Sequence, residues 1–139
     1  MVAESPIDQL LTALDGLDAD EVTALFAPDV RVLTADGRRA AGIDAARELI
    51  SAFIGQLRST SHTVTARWHE GDTWIAEVDS SYELRDRLLL RSLPRAFFLR
   101  VDDTGILELR TYGAHEHALA DHRSTEHGVR VGGRWVPPL

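Results

Sequence analysis

The spacing of hydrophobic residues near the N-terminus predicts two helices before any strand. Ile7, Leu10, Leu11 and Leu14 form an apolar stripe that follows Ser5-Pro6, a capping residue and a favoured first helical residue. A capping box at Asp18 and Glu21 predicts a short second helix, which we expect to include Phe26 and to be stopped by Pro28. The longest helical period predicts a third helix over 43–57, with the apolar positions Ile43, Ala46, Leu49, Ile50, Phe53, Ile54 and Leu57.

After Ser59 the hydrophobic period changes from 3.6 to two, which predicts β-strands. The strands expected are a short one at 30–34 with a return at 38–41, then 59–69, 73–84, 96–101 and 106–115, with 85–94 as a connection. Helices followed by an antiparallel meander indicate an α+β fold whose sheet curls around the helices. We expect a single domain over 1–139, with its core in 5–118 and an irregular tail over 119–139.

The composition excludes several classes of protein but says little about which reaction the chain catalyses. The chain has 139 residues, a net charge of −7 and a pI of about 5.3, which argues against nucleic acid as a partner. It has no Cys, and all 15 basic residues are Arg, so thiolate and lysine Schiff-base chemistry are excluded. We see no apolar run long enough to span a membrane and no signal peptide, so a cytoplasmic protein without a membrane partner is expected. The exclusive use of Arg over Lys suggests a GC-rich, bacterial genome.

Four segments together resemble the nuclear transport factor two-like superfamily, in its SnoaL-like and ketosteroid-isomerase-like branch. They are 25–30, 42–45, 71–73 and 103–112, in the order and spacing of that superfamily. The resemblance implies a cone-shaped, curved antiparallel or mixed sheet around three N-terminal helices, a cystatin-like α+β barrel. It also implies an apolar pocket and a homodimer built through the sheet. Two departures stand out, because Thr34 and Ala114 occupy places where relatives carry a carboxylate base.

The candidate catalytic residues are one imidazole and two phenols. His62 shares an alternating face with Val64, Ala66 and Trp68, so an inward face would put a neutral imidazole in an apolar pocket. It is then either a base or acid, or a core histidine bonded to a backbone carbonyl. Tyr82 and Tyr112 are either donors to a developing oxyanion or structural aromatic residues.

The candidate substrate-binding residues are Trp68, Trp74, Arg110, Phe53 and Phe98. The two Trp residues suit a polycyclic ligand but also suit a core. An exterior position for Arg110 is favoured, since Leu107 and Leu109 read as the core face of its strand. The metal-capable side chains His115, Glu116, His117, Asp121, His122 and His127 form a cluster without the spacing of a zinc site, so no metal and no cofactor are expected.

Three functions remain open at this stage. The first is a cofactor-independent cyclase, isomerase or dehydratase acting on a small hydrophobic polyketide-, terpenoid- or steroid-like molecule. The second is a non-catalytic ligand-binding or dimerisation module of the same fold. The third is an epoxide hydrolase, which requires an Asp-Arg-Asp constellation inside the cone. Arg110 with Asp79 is its nearest partial match.

Overall fold

The computed structural model describes residues 5–113, 129–131 and 134–136. Three helices lie in the N-terminal part: α1 at Pro6–Asp15, α2 at Ala19–Thr23 and α3 at Ile43–Ile54. Helix α1 begins as expected, because Ser5 accepts a hydrogen bond from the backbone N–H of Asp8 and Pro6 occupies the first turn. Helix α3 is the longest, and its buried stripe is formed by Ala46, Ile50 and Ile54.

Six strands form one curved, unclosed mixed sheet, which confirms the α+β class. Their bounds are β1 Phe26–Leu33, β2 Arg39–Ala41, β3 Leu57–Glu70, β4 Thr73–Leu84, β5 Leu89–Asp102 and β6 Gly105–Tyr112. Their order across the sheet is β2-β1-β6-β5-β4-β3. The pair β1 and β6 is parallel and all other neighbours are antiparallel. The N-terminal strand therefore lies beside the last strand of the meander.

The inner face of the sheet carries the core against α1 and α3. Alternate residues of β4, β5 and β6 point inward, as period-two patterns require. The fully buried Val78, Phe97 and Leu99 of this layer belong to the same core cluster as Ile7 and Leu10 of α1, and Tyr82 belongs to a second cluster with Leu57, Leu84, Leu90 and Leu93. The alternating residues Ala76, Val78, Ser80 and Tyr82 of β4 are therefore all buried.

Several boundaries differ from the sequence prediction: helix α3 ends at Ile54 instead of residue 57, Leu57 begins β3, and two further differences involve segments that contain a proline. Helix α2 ends at Thr23, and Phe26 and Pro28 belong to β1. Likewise β5 begins at Leu89 and includes Pro94, although 85–94 was expected to be a connection. The pairing of β4 with β5 shifts register between Ser80 and Tyr82, and Ser92 there has a positive φ of 55°. This irregularity accommodates a strand that simple alternation does not indicate.

The segment predicted as an irregular tail contains a short hairpin in its described part. Strands β7 at Val129–Val131 and β8 at Arg134–Val136 pair antiparallel. Among the helices of the described segments, none is long and apolar enough to cross a membrane.

The junction between β1 and β6 depends on Gly105. Its φ is +125°, and a Cβ at this position would come within 2.7 Å of the carbonyl oxygen of Leu25. We therefore expect Gly105→Ala to lower the unfolding free energy by about 3 kcal/mol, from strain plus a backbone clash. Gly37→Ala is the matched control, because Gly37 has a φ of +87° but open space around it. It should cost about 1 kcal/mol in urea unfolding, and equal losses for the two variants would contradict the clash.

Candidate functional site

The candidate site is centred on a hydrogen bond between the end of helix α1 and strand β3. The Nδ1 atom of His62 lies 2.6 Å from Oδ1 of Asp15, the last residue of α1. A carboxylate can only accept, so Nδ1 carries the proton and Nε2 keeps its lone pair. The His62 side chain is 0% exposed, whereas that of Asp15 is 36% exposed. The pair thus runs from the surface into the interior.

The environment of His62 keeps its imidazole neutral. Burial lowers the pKa of His62 below the usual 6.5, the hydrogen bond and charge of Asp15 partly raise it, and the nearby charge of Arg95 lowers it further. Its Nε2 atom is sealed from solvent and has no hydrogen-bond partner within the described part of the chain. The ring meets Tyr82 and Phe97 edge-on, at centroid distances of 5.9 and 6.0 Å. A neutral, buried imidazole with an open lone pair is what a general base requires.

A second ion pair and a β-bulge bring His62 to the inner face. Arg67 donates two hydrogen bonds of 2.8 Å to the carboxylate of Asp8, on the first turn of α1. This contact lowers the pKa of Asp8. Residues 62 and 67 have an odd separation and would lie on opposite faces of a regular strand. The pairing of β3 with β4 shifts at Thr65, however, so both side chains face α1.

A buried arginine and phenol lie next to the histidine. Arg95 is 6% exposed, and its guanidinium donates to the hydroxyl oxygen of Tyr82. The guanidinium carbon lies 4.9 Å from the ring centroid of Phe97. Tyr82 also meets Phe53 edge-on at 5.8 Å. A positive charge and a phenol therefore stand beside the base, in the low-dielectric interior where charges act most strongly.

A small cavity of about 30 Å³ lies between the sheet and α3. Its floor includes Arg95 and Phe97, and its half-buried rim is formed by Thr34, Leu49 and Phe53. Thr34, the residue at the expected place of a carboxylate base, therefore does line the interior. His62 lies one layer behind the cavity, since it contacts Phe97, which lines it. The space holds one or two water molecules, well below the roughly 300 Å³ of a typical ligand pocket.

Several predicted site residues lie on the outer face of the sheet instead. Trp68 is 52% exposed, because the bulge at Thr65 reverses the alternation that placed it with His62. Tyr112 is 46% exposed, and Phe98 pairs with Arg110 on the same outer face. The guanidinium of Arg110 stacks on Phe98 at 5.4 Å, outside the cone. These four residues do not line the cavity, and the exterior position favoured for Arg110 is the one that the structure has.

The remaining predicted residues divide between the site and the far end of the sheet. Phe53 lines the cavity, and Tyr82 lies beside His62. Trp74 faces inward, and its ring stacks on that of His69 with a centroid distance of 3.5 Å. Trp74 lies six residues along β4 from Ser80, the residue that pairs with His62. That separation is about 20 Å at strand spacing. Asp79 is exposed on the outer face, so it forms no constellation with Arg110 inside the cone.

Sequence reasoning missed Asp15 and Arg95. A signal for Asp15 existed, because a carboxylate in the last turn of a helix opposes the helix dipole and invites a functional explanation. Arg95 was hidden by the assignment of 85–94 to a connection, although it alternates with Phe97 and Leu99. Ala114 and the cluster between His115 and His127 lie outside the described residues.

A curved sheet over three helices, with a buried polar group at its interior, defines a cone of the nuclear transport factor two-like class. The sequence profile of the SnoaL-like domain matches residues 7–136, so the chain belongs to the SnoaL-like domain family. No curated protein matches it significantly.

Solved structures with the same fold come from several bacteria. A protein of ketosteroid isomerase-like fold from Catenulispora acidiphila, in complex with trimethylamine, has a TM-score of 0.71, 18% identity and coverage of 80% of this chain and 86% of that one. A candidate SnoaL-like polyketide cyclase from Jannaschia has a TM-score of 0.69 and 12% identity, with coverage of 86% of this chain and 96% of that one. An epoxide hydrolase from M. tuberculosis has a TM-score of 0.66 and 19% identity, with coverage of 78% of this chain and 79% of that one. At these identities the likeness shows the fold alone.

The lowered pKa of His62 makes stability depend on pH. The folded state takes up this proton only below the pKa of the unfolded chain, near 6.5, so unfolding is favoured as the pH falls through that value. We expect the unfolding free energy to fall between pH 7 and 5, with a slope of at most about 1.4 kcal/mol per pH unit from this group. His62→Gln should remove that component of the slope in denaturant titrations. His69→Gln is the control, since His69 is exposed, and equal slopes in both variants would contradict the assignment.

Proposed function

We propose that this protein is a cofactor-independent enzyme in which His62 acts as a general base. The observation that carries the proposal is the buried imidazole whose Nδ1 is held by Asp15 and whose Nε2 has no partner among the described residues. A purely structural histidine is expected to satisfy both nitrogens, because a buried polar atom without a partner costs free energy. Retaining such an atom is typical of a group that meets a ligand.

The neighbours of His62 supply the other parts of a proton transfer. Asp15 fixes the tautomer and stabilises the imidazolium that forms when Nε2 takes a proton. Arg95 and the hydroxyl of Tyr82 would stabilise negative charge that develops on a substrate oxygen, such as that of an enolate. The assignment of Tyr112 to catalysis is not part of this proposal, because its position is outside the cone.

The substrate class follows from the lining of the cavity. Leu14, Val32, Ile50 and Leu109 are apolar, and the polar lining residues are few: Thr34, Arg95 and Thr111. This favours a small hydrophobic molecule with an oxygen function, as in polyketide-, terpenoid- or steroid-like compounds. A ring-sized ligand in contact with Nε2 of His62 needs more than the existing space. The half-buried Leu49 and Phe53 of α3, and Phe97 between the cavity and His62, are the side chains that would move.

The two competing functions make different demands on the described residues. A dimerisation module needs no ligand, so it leaves the buried Nε2 of His62 unexplained, whereas a ligand-binding module would use this atom without needing a base, and turnover separates it from an enzyme. An epoxide hydrolase of the expected type needs two carboxylates around an interior arginine. Asp79 and Arg110, the nearest match in the sequence, both lie on the outer face and do not form that constellation inside the cone. Cyclisation, isomerisation or dehydration therefore remains the proposed reaction class.

A substrate of known reactivity tests the base directly. 5-Nitrobenzisoxazole loses its carbon-bound proton to a well-placed base while its N–O bond opens to a coloured phenolate. We expect kcat/KM to exceed the rate constant of free imidazole by about 100-fold or more, as positioned bases do. The rate should rise with pH up to a pKa below 6.5 and stay level above it, because only the neutral imidazole accepts the proton.

Variants separate the base from a nonspecific effect. His62→Gln should reduce the rate to that of free imidazole or lower, whereas His69→Gln should retain it within about twofold. Asp15→Asn should lower the rate about tenfold and also lower the pKa of His62, because Asp15 raises that pKa in the wild type. Full turnover in His62→Gln, or no turnover in the wild type, would favour the binding module.

We also propose that a second copy of the chain covers the outer face of the sheet. Trp68, Ile75, Phe98 and Arg110 form one row across four strands, through successive pairings. Acidic Glu77 lies on one side of this row and basic Arg100 on the other. A two-fold axis near Phe98 would bring Glu77 of one copy towards Arg100 of the other, beside Glu108, which lies opposite Arg100 on β6.

Light scattering checks the homodimer. We expect a mass of twice 15.4 kDa for the wild type. Phe98→Glu would bury a charge at the centre of the contact and should shift the protein towards 15.4 kDa. Ser51→Glu is the control, because Ser51 is exposed on α3, away from the outer face. A monomeric wild type, or a dimer in both variants, would contradict the proposed contact.

A further inference from the structure

A second buried polar atom lies opposite the base on the neighbouring strand. Ser80 is 0% exposed, and its Oγ is sealed from solvent with no hydrogen-bond partner in the described segments. The register of β3 and β4 pairs Ser80 directly with His62. Opposite residues in an antiparallel pair have Cβ atoms about 5 Å apart and share a face. Two polar groups without partners therefore belong to adjacent side chains on the inner face.

The informative observation is that the two buried atoms that have no partner in the described ranges, Nε2 of His62 and Oγ of Ser80, belong to facing residues. One buried hydroxyl or one buried ring nitrogen without a partner already costs stability, and most native structures avoid it. A single oxygen atom placed between two such facing residues is one arrangement that satisfies both. A role in packing alone would be met by Ala at position 80 without the cost of a buried hydroxyl.

We infer that His62 and Ser80 together hold a hydroxyl oxygen of the ligand, with a water molecule taking that place in the unliganded protein. The inference rests on the proposed function and narrows its substrate class. Because Nδ1 donates to Asp15, Nε2 can only accept, so the bridging atom must carry a proton. A hydroxyl meets this requirement and can also bond to Ser80, whereas a ketone offers no proton to Nε2.

The requirement for a hydroxyl gives different roles to the two pairs of buried polar residues. Arg95 is a donor, as is the Tyr82 hydroxyl, so both suit an oxygen that accepts or becomes negative. The pair of His62 and Ser80 suits an oxygen that donates. A ligand with both a hydroxyl and a carbonyl function would therefore be oriented in one direction. Ser80 binds the ligand oxygen directly in this arrangement.

A matched pair of probes tests the hydroxyl site. Cyclohexanol and cyclohexanone have the same ring and differ at the oxygen, and their dissociation constants can be followed through the NMR signals of the His62 ring. We expect the alcohol to bind the wild type about tenfold more tightly, the value of one hydrogen bond of about 1.4 kcal/mol. Ser80→Ala should reduce this preference to about threefold or less. Ser61→Ala, on the exposed face of β3 beside His62, should keep it.

The outcomes separate this inference from the proposed function. Equal or tighter binding of the ketone, or an unchanged preference in Ser80→Ala, would overturn the hydroxyl site while leaving the base intact. Absence of any change at His62 with either probe would overturn it as well. If the wild type has no proton-abstraction activity but still prefers the alcohol, the role of His62 as a base is contradicted and the hydroxyl site is not. Thermal melting of Ser80→Ala checks that the variant is folded, and binding selectivity is a readout that a merely structural role would not move.

Discussion

The attachment of helix α1 to strand β3 is the constraint on which the site depends. Asp8 and Asp15 are seven residues apart, two helical turns, so both carboxylates lie on the same side of α1. They meet Arg67 and His62 of β3, and the bulge at Thr65 is what gives these two residues a common face. The exposed pair of Asp8 and Arg67 adds little stability by itself, as surface ion pairs do. Its consequence is positional, because it sets the rotation of the helix that carries Asp15.

Burial of the His62 ring then decides its chemistry. Desolvation favours the neutral form, and Arg95 disfavours a second positive charge nearby. Asp15 opposes both effects, so the imidazole is neutral yet supported when it takes a proton. The same carboxylate is partly exposed, which keeps its own charge solvated while its hydrogen bond acts inside the protein. A surface carboxylate can thus control an interior base at little desolvation cost.

Much of the architecture could be predicted from periodicity. The helical stripe of α1 and the alternation of β4 identified the correct inward residues, because both elements are regular. Prediction failed where regularity ends. The bulge in β3 places Trp68 on the outer face. Because the start of β5 is irregular, the sequence pattern did not indicate that Arg95 and Phe97, and not Phe98, face the interior. A one-residue shift exchanges the two faces of a strand, so residue types alone could not settle these positions.

The site residues were harder to predict because they join distant parts of the sequence. Asp15 and His62 are 47 residues apart, and no local pattern relates a helix end to the middle of a strand. The pairing of His62 with Ser80 is likewise a matter of register. The sheet thereby places opposite chemistry on its two faces: isolated polar atoms among apolar side chains inside, and an aromatic row with flanking charges outside. Because period two keeps these sets separate along β3, β4 and β5, ligand binding inside and association outside can be altered by different residues of the same strands.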